Sequence, residues 1–247
     1  MSIAALQLEA DVEATNEDVL GGGGFTLDTG LYPMIIDNAY LDKSSGGAMN
    51  INLHLKKKTG GNQIYRQTIY ITSGEKKGKL PYYTGKDGKK HPLPGYSMVN
   101  LIHKITTGKP LKDIAPEKKI VKLWDFDTSS EQPREVPVVT EMVGQEILIG
   151  MHLVRENKRA KQGDKWVDTN EVREFNEINK VFYPDGFSVT EKAAEAEEAA
   201  FVTKWNAANT SNYVRDKFKP VASAPATTGG TATPSTVAAA PDDLFDD

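Results

Sequence analysis

The sequence predicts a mainly β domain with one internal helix, and three observations predict it. Met49, Ile51, Leu53 and Leu55 alternate with Asn50, Asn52, His54 and Lys56, the period of a strand with one buried face. Strand-like runs lie on either side, Gly30 to Leu41 and Gln63 to Thr72, set off by the turn sequences Ser44–Gly47 and Thr59–Asn62. Between this group and later strand-like runs, Met98, Leu101, Ile102 and Ile105 recur at helical spacing.

Composition narrows the chemistry. At 247 residues the chain fits one globular domain with appendages, or two small domains. It has no cysteine, so disulfides, Cys-ligated zinc and thiol catalysis are excluded. Its four histidines, His54, His91, His103 and His152, occur singly and without zinc-ligand spacing, and no Gly-x-Ser-x-Gly elbow is present. Acid pairs such as Asp125 and Asp127 arise by chance among thirty-four carboxylates. The expectation is a protein that is not an enzyme and uses no cofactor or metal. No apolar run approaches the ~20 residues of a membrane-spanning helix, and a cytoplasmic location is expected.

Residues 1–20 are acidic, with Leu6, Leu8, Val12, Val19 and Leu20 irregularly spaced, and read as a short helix or a mobile arm. Gly21–Gly24 is a hinge that lacks the Lys-Ser/Thr of a phosphate loop. The strands Gly30–Leu41, Met49–Lys56 and Gln63–Thr72 then predict an antiparallel meander, with Tyr65, Gln67, Ile69 and Ile71 on one face of the third. Ser73–Gly95 is turn-rich and basic, with a hairpin tip at Gly85–Gly88. Ser97 is the expected N-cap of a helix running to Thr107, stopped by Gly108-Lys109-Pro110. Lys118–Phe126 and Arg134–Thr140 read as strands around a loop, with Trp124 and Phe126 expected in the core. Gly144–Glu156 reads as a long strand and Glu156–Asp164 as a charged turn. Trp166-Val167 and Val172–Tyr183 complete the sheet. Ser188-Val189-Thr190-Glu191 is a capping box that opens an Ala- and Glu-rich helix to about Asn206, continuous or in pieces toward Lys217, with Ala194, Ala200, Phe201 and Trp205 suited to docking. Val221–Ala240, a chargeless tract of small residues and proline, reads as a disordered linker.

The net charge of −4 conceals segregation. Residues 1–54 carry eight acids and one base, whereas residues 55–122 carry sixteen bases and four acids. The following stretch, 123–190, is acidic again, with thirteen acids and eight bases. A strongly basic block inside an acidic chain points to a local polyanion site. Its lysines interleave with tyrosines, and that pairing suits a single-stranded nucleic acid: cations meet the phosphates and aromatic faces meet unstacked bases. The phosphate candidates are Lys56, Lys57, Lys58, Arg66, Lys76, Lys77, Lys79, Lys86, Lys89 and Lys90, followed by Arg155, Lys158 and Arg159. The stacking candidates are Tyr65, Tyr70, Tyr82 and Tyr83, followed by Trp124 and Trp166; Tyr65 and Tyr70 fall on opposite faces of one strand.

The chain ends Pro241-Asp242-Asp243-Leu244-Phe245-Asp246-Asp247, four carboxylates around a Leu-Phe pair at the end of the linker. This arrangement resembles the single-stranded DNA-binding proteins of bacteria and tailed bacteriophages, which carry a similar linker and acidic tip behind a β-barrel. In that family the aromatic residue is often terminal, whereas here two aspartates follow Phe245. The resemblance implies a five-stranded OB-fold barrel over 25–187, with the internal helix between its third and fourth strands. A C-terminal helix over 188–219 and a disordered tail from 220 would follow, behind an N-terminal arm and linker over 1–24. It implies sequence-independent coating of single-stranded DNA during phage replication, recombination and repair, with self-association along the DNA. The tip, Asp242, Asp243, Leu244, Phe245, Asp246 and Asp247, would recruit replication and repair proteins. The alternatives are an RNA- or duplex-DNA-binding module on the same barrel, and a phage adaptor protein whose basic block is solvated surface.

Overall fold

The computed structural model describes residues 26–60, 63–125, 128–163 and 165–221. The expected N-terminal arm and glycine hinge, Phe126, and the linker and acidic tip beyond Val221 lie outside the described residues.

The fold is mainly β. Strands β1 (Gly30–Lys43), β2 (Met49–Lys57) and β3 (Ile64–Tyr70) form the expected antiparallel meander. The alternating residues Ile51, Leu53 and Leu55 are buried in the main core. β1 contributes Met34 and Ile36, then Ala39 and Leu41, to that same core. The change of parity comes from a bulge between Ile36 and Asn38, because one extra residue turns the strand over. Tyr40 is thereby sent to the opposite face.

Helix α1 (Pro94–Thr107) covers the core with Val99, Ile102 and Ile105. It begins three residues before the expected cap at Ser97. Pro94 occupies its first turn, where the missing N–H costs nothing, and Leu93 is the N-cap without a side-chain bond. Gly95 lies so close to the Tyr70 carbonyl that no Cβ fits between helix and β3. Gly108, in the left-handed region at φ 75, ends the helix by donating to Lys104 O, as expected. Two short strands, β4 (Tyr82–Thr84) and β5 (Lys90–Pro92), form a separate hairpin ahead of the helix.

β6 (Glu117–Asp125) and β7 (Ser130–Val138) form a hairpin that folds over the outer face of the sheet, β7 meeting β1 at Tyr40 and Val138. A second, small core results from Tyr40, Leu123, Val136 and Val138. His54, edge-on to Tyr40, is buried with it, so β2 is covered on both faces over part of its length.

β8 (Glu146–Gln162) and β9 (Lys165–Phe182) form a long antiparallel ribbon. The expected charged turn over Glu156–Asp164 is therefore corrected: β8 continues through it to Gln162, and β9 is one strand rather than two. Cross-strand ion pairs hold this part, Lys158 to Glu171 at 2.8 Å and Arg159 to Asp168 at 3.3 Å. A ribbon polar on both faces has no apolar period to announce it.

The capping box at Ser188 is present, with Glu191 N donating to Ser188 Oγ at 3.2 Å and Ser188 N to Glu191 Oε2 at 2.8 Å. The helix runs in two pieces, α2 (Val189–Ala193) and α3 (Ala200–Ala208). Trp205 of α3 is buried over Gly150, which leaves no room for a Cβ, while Ala194 and Phe201 are exposed. The expected helix to residue 219 is corrected at its end: residues after Ala208 extend into β10 (Val214–Asp216), parallel to Leu153–Arg155 of β8. Asn157 and Asn170 side chains hold the backbone at Lys219 and Val221.

The main sheet has eight strands, in the order β10-β8-β1-β2-β3, with β9 on β8, β7 on β1 and β6 on β7. It is open: among the described residues β3 pairs only with β2, and β9 only with β8. No described helix is long and apolar enough to cross a membrane.

Candidate nucleic-acid interface

The structure sorts the candidate cations by what they already hold. At the end of β2, Lys56 binds Asp37 at 2.9 Å, Lys58 binds Glu146 at 2.7 Å, and the Lys57 ammonium lies 5.2 Å from the Tyr32 ring centre. On the ribbon, Arg155 pairs with Glu174 at 3.4 Å, and Lys158 and Arg159 have the β9 partners described above. These three are ion-paired and spread along a strand, not gathered in a turn. Trp166, beside the ribbon tip, is exposed.

The lobe over Ser73–Leu93 is different. A single turn of 3-10 helix, Glu75–Lys77, is closed by Gly78 at φ 81 and Lys79 at φ 55. Ser73 Oγ braces it by donating to Lys77 O at 3.1 Å and accepting from Leu80 N at 2.9 Å. The β4–β5 hairpin follows, with its tip at Gly85–Gly88 as expected. Lys79 is paired with Glu75 at 2.6 Å and His91 lies 3.3 Å from Asp87. Lys76, Lys77, Lys86, Lys89 and Lys90 have no ion pair among the described residues. Lys90 instead sits 4.7 Å from the Tyr82 ring centre, a cation–π arrangement, and Tyr83 is about half exposed, tilted against His91 at 5.5 Å. Leu80, Tyr82, Tyr83 and Leu93 line a hollow of about 480 Å³ with Lys77 at its wall.

A second concavity lies between the outer face of β2–β3 and the β6–β7 hairpin. Arg66, opposite His54 on β2, and Thr68 form one wall, Trp124 and Arg134 the other, around about 280 Å³. Arg66 is exposed without an ion pair among the described residues, whereas Arg134 reaches Asp42 at 3.3 Å. Thr68 Oγ1 donates to Asn52 Oδ1 at 2.6 Å, and His54 meets Tyr40 edge-on at 5.6 Å. Burial, then the nearby Arg66, lowers the His54 pKa and favours its neutral form. Tyr70 shares the outer face with Arg66 and is half exposed.

Two aromatic assignments change. Trp124, expected in the core, is 53% exposed, because β6 alternates and sends Leu123 inward instead. Tyr65 turns the other way: it packs partly buried against the main core, and burial raises its pKa. That leaves Tyr70 as the ring of the pair on the outer face. His54, Asn52, Thr68 and Arg134 were not singled out by sequence. They belong to strands up to about 80 positions apart, joined only when the β6–β7 hairpin folds over the sheet. The one available signal was Arg134, an isolated base in an acidic stretch.

Asp125 caps its own turn, accepting from Thr128 N at 2.8 Å and Thr128 Oγ1 at 3.0 Å; Asp127 lies outside the described residues. Among the described residues no group of three or more histidines and carboxylates could hold a metal ion. No protein-family model matches the chain, and no curated protein and no solved structure matches it significantly.

Proposed function

We propose that the chain binds single-stranded DNA through the lysine–tyrosine lobe and the groove under the β6–β7 hairpin. The observation that carries this reading is the segregation of ion pairing. The ribbon candidates Arg155, Lys158 and Arg159 are engaged with carboxylates, whereas Lys76, Lys77, Lys86, Lys89 and Lys90 have no ion pair among the described residues, Lys90 lying against Tyr82 and Lys77 at the hollow lined by Tyr82 and Tyr83. Unpaired cations beside partly exposed rings match a polyanion with unpaired bases. Arg66 and Trp124 offer the same chemistry in the groove, with Tyr70 farther along the same face of β3.

The finer fold in this proposal is an OB barrel built from β1, β2, β3, β8 and β9, with α1 between its third and fourth strands and the other strands added. Its support is the strand–helix–strand order, β1 pairing with both β2 and β8, and the approach of β3 to β9 across a cleft. The resemblance to phage single-stranded DNA-binding proteins supplies the role: coating DNA during replication, recombination and repair. The tip Asp242–Asp247 then competes weakly for the lysine lobe and, once displaced, recruits other proteins through Leu244 and Phe245. A linker of about 25 residues spans roughly 25–30 Å, sufficient to cross one face of the domain.

Titration of a labelled poly-dT oligonucleotide, at low and moderate salt and against unlabelled duplex, tests this. Salt-sensitive binding that resists duplex, and tightens when the chain ends at Ala240, is expected. Equal competition by duplex would shift the assignment to a general polyanion binder. Absence of binding at low salt would remove nucleic acid altogether.

A further inference from the structure

Two free edges of the sheet, those of β3 and β9, approach one another. A cleft of about 520 Å³ separates β3 from β9. Leu55, Met151 and Ile178 form its apolar floor as part of the main core, with Tyr65 packed against them. Its rim is polar, with Arg66 on one side and Arg173 on the other. Arg66 has no ion pair among the described residues, and Arg173 has only a loose one, 3.8 Å from Glu156. Glu174, also at the cleft, is already paired with Arg155. Unpaired strand edges over an apolar floor are a template for a further strand.

The chain emerges at this same place. Thr26 lines the cleft, and Leu27 is buried and pinned to β9 by Asn176. The Asn176 side chain accepts from Leu27 N at 2.7 Å and donates to Leu27 O at 2.8 Å, taking the part of a strand neighbour.

The residues before Thr26 lie outside the described residues, but their sequence matches what the cleft asks for. Counted with alanine, residues 6–13 alternate without a break: Leu6, Leu8, Ala10 and Val12 against Gln7, Glu9, Asp11 and Glu13. One face is apolar and the other carries three carboxylates, and residues 1–24 contain no base at all. The twelve residues between Glu13 and Thr26 include four consecutive glycines and reach about 40 Å when extended, ample for a return to the cleft.

We propose that residues 6–13 dock as an added strand between β3 and β9. Leu6, Leu8 and Val12 rest on the floor, and the carboxylates lie beside Arg66 and Arg173. The added strand satisfies both open edges and covers Arg66, so it also competes with a nucleic acid for that arginine. The competition rests on the function proposed above; the docking does not.

Since the chain has no cysteine, introduced pairs report proximity directly. The full chain carrying Glu9→Cys and Thr68→Cys, two positions on the outer face, is treated with a short thiol cross-linker; Asp18→Cys with Thr68→Cys is the control. An intramolecular cross-link in the first pair, several-fold above the control, is expected, and Leu6→Asp with Leu8→Asp should abolish it. The same double substitution should speed amide exchange in β3 on the order of tenfold. Equal cross-linking in both pairs, or unchanged exchange, overturns the proposal. Cross-linked dimers overturn it in favour of a second copy supplying the strand. In a parallel dT titration, Leu6→Asp with Leu8→Asp should tighten binding. Cross-linking without any DNA binding would sink the nucleic-acid reading and leave the docked strand standing.

Discussion

Glu191 Oε1 accepts the backbone amide of Phe201 at 2.7 Å, while its second oxygen accepts the amide of Ser188 at 2.8 Å. One carboxylate thus caps two successive helices, α2 and α3, and fixes the angle between them. The hydrogen bonds from Ser188, then Phe201, hold its pKa below the ordinary carboxylate range. A depressed pKa stabilises the fold above the unfolded value, about 4.3, and that stability is lost as pH falls through the folded value. Glu191→Gln should therefore lower Tm at pH 7 more than Glu198→Gln does, and the deficit should shrink toward pH 3. Thermal melts across that range check it; a deficit independent of pH would refute the ionised double cap.

His103 is fully buried in α1, with both ring nitrogens facing acceptors, Lys109 O at 2.8 Å and Glu141 Oε1 at 3.0 Å. Glu141 also takes Lys109 Nζ at 2.8 Å, and its pKa is lowered by Lys109 and then by His103. Glu141→Ala strips a buried group of its partner and should cost about 1–3 kcal/mol in urea unfolding. Lys109→Ala, which removes an exposed member, should cost clearly less. Equal losses would mean that the buried histidine does not depend on Glu141.

His54, beneath the β6–β7 hairpin, has its pKa lowered chiefly by burial. Its unfolded form takes up a proton near pH 6.5 and its folded form only at lower pH, so stability falls as pH drops through that interval. His54→Gln should flatten the stability profile between pH 7 and pH 5. Denaturant midpoints at the two pH values measure this, and an unaltered slope would assign the pH dependence elsewhere.

The ion-pair pattern predicts unequal effects on DNA binding. Trp124→Ala should weaken poly-dT binding by about 1–3 kcal/mol if one base stacks there. Lys86→Ala with Lys89→Ala should reduce the salt slope by about 1.4, at roughly 0.7 per phosphate contact. Lys158→Ala should leave affinity and slope nearly unchanged, since Glu171 already takes that charge. A large effect of Lys158→Ala would move the interface onto the ribbon.

Elements with local signals were readable from the residues alone. The alternation in β2, the meander around it, the α1 stripe with its glycine stop, the hairpin tip at Gly85–Gly88 and the Ser188 capping box were all legible, because each depends on residues within a few positions of one another. The sequence also marked the lysine–tyrosine lobe as distinctly basic. Packing between distant elements sets which of the candidate cations are free, because Lys58 meets Glu146 across 88 positions and Lys56 meets Asp37 across a bulge that no pattern announces. It also decided that Trp124 is exposed, that Arg66, Trp124 and Arg134 share a groove, and that residues 214–216 join β8 as a parallel strand. Local periodicity records which side of an element turns inward. Which distant element covers that side depends on packing, and it is packing that separates a paired surface lysine from one left available to a ligand.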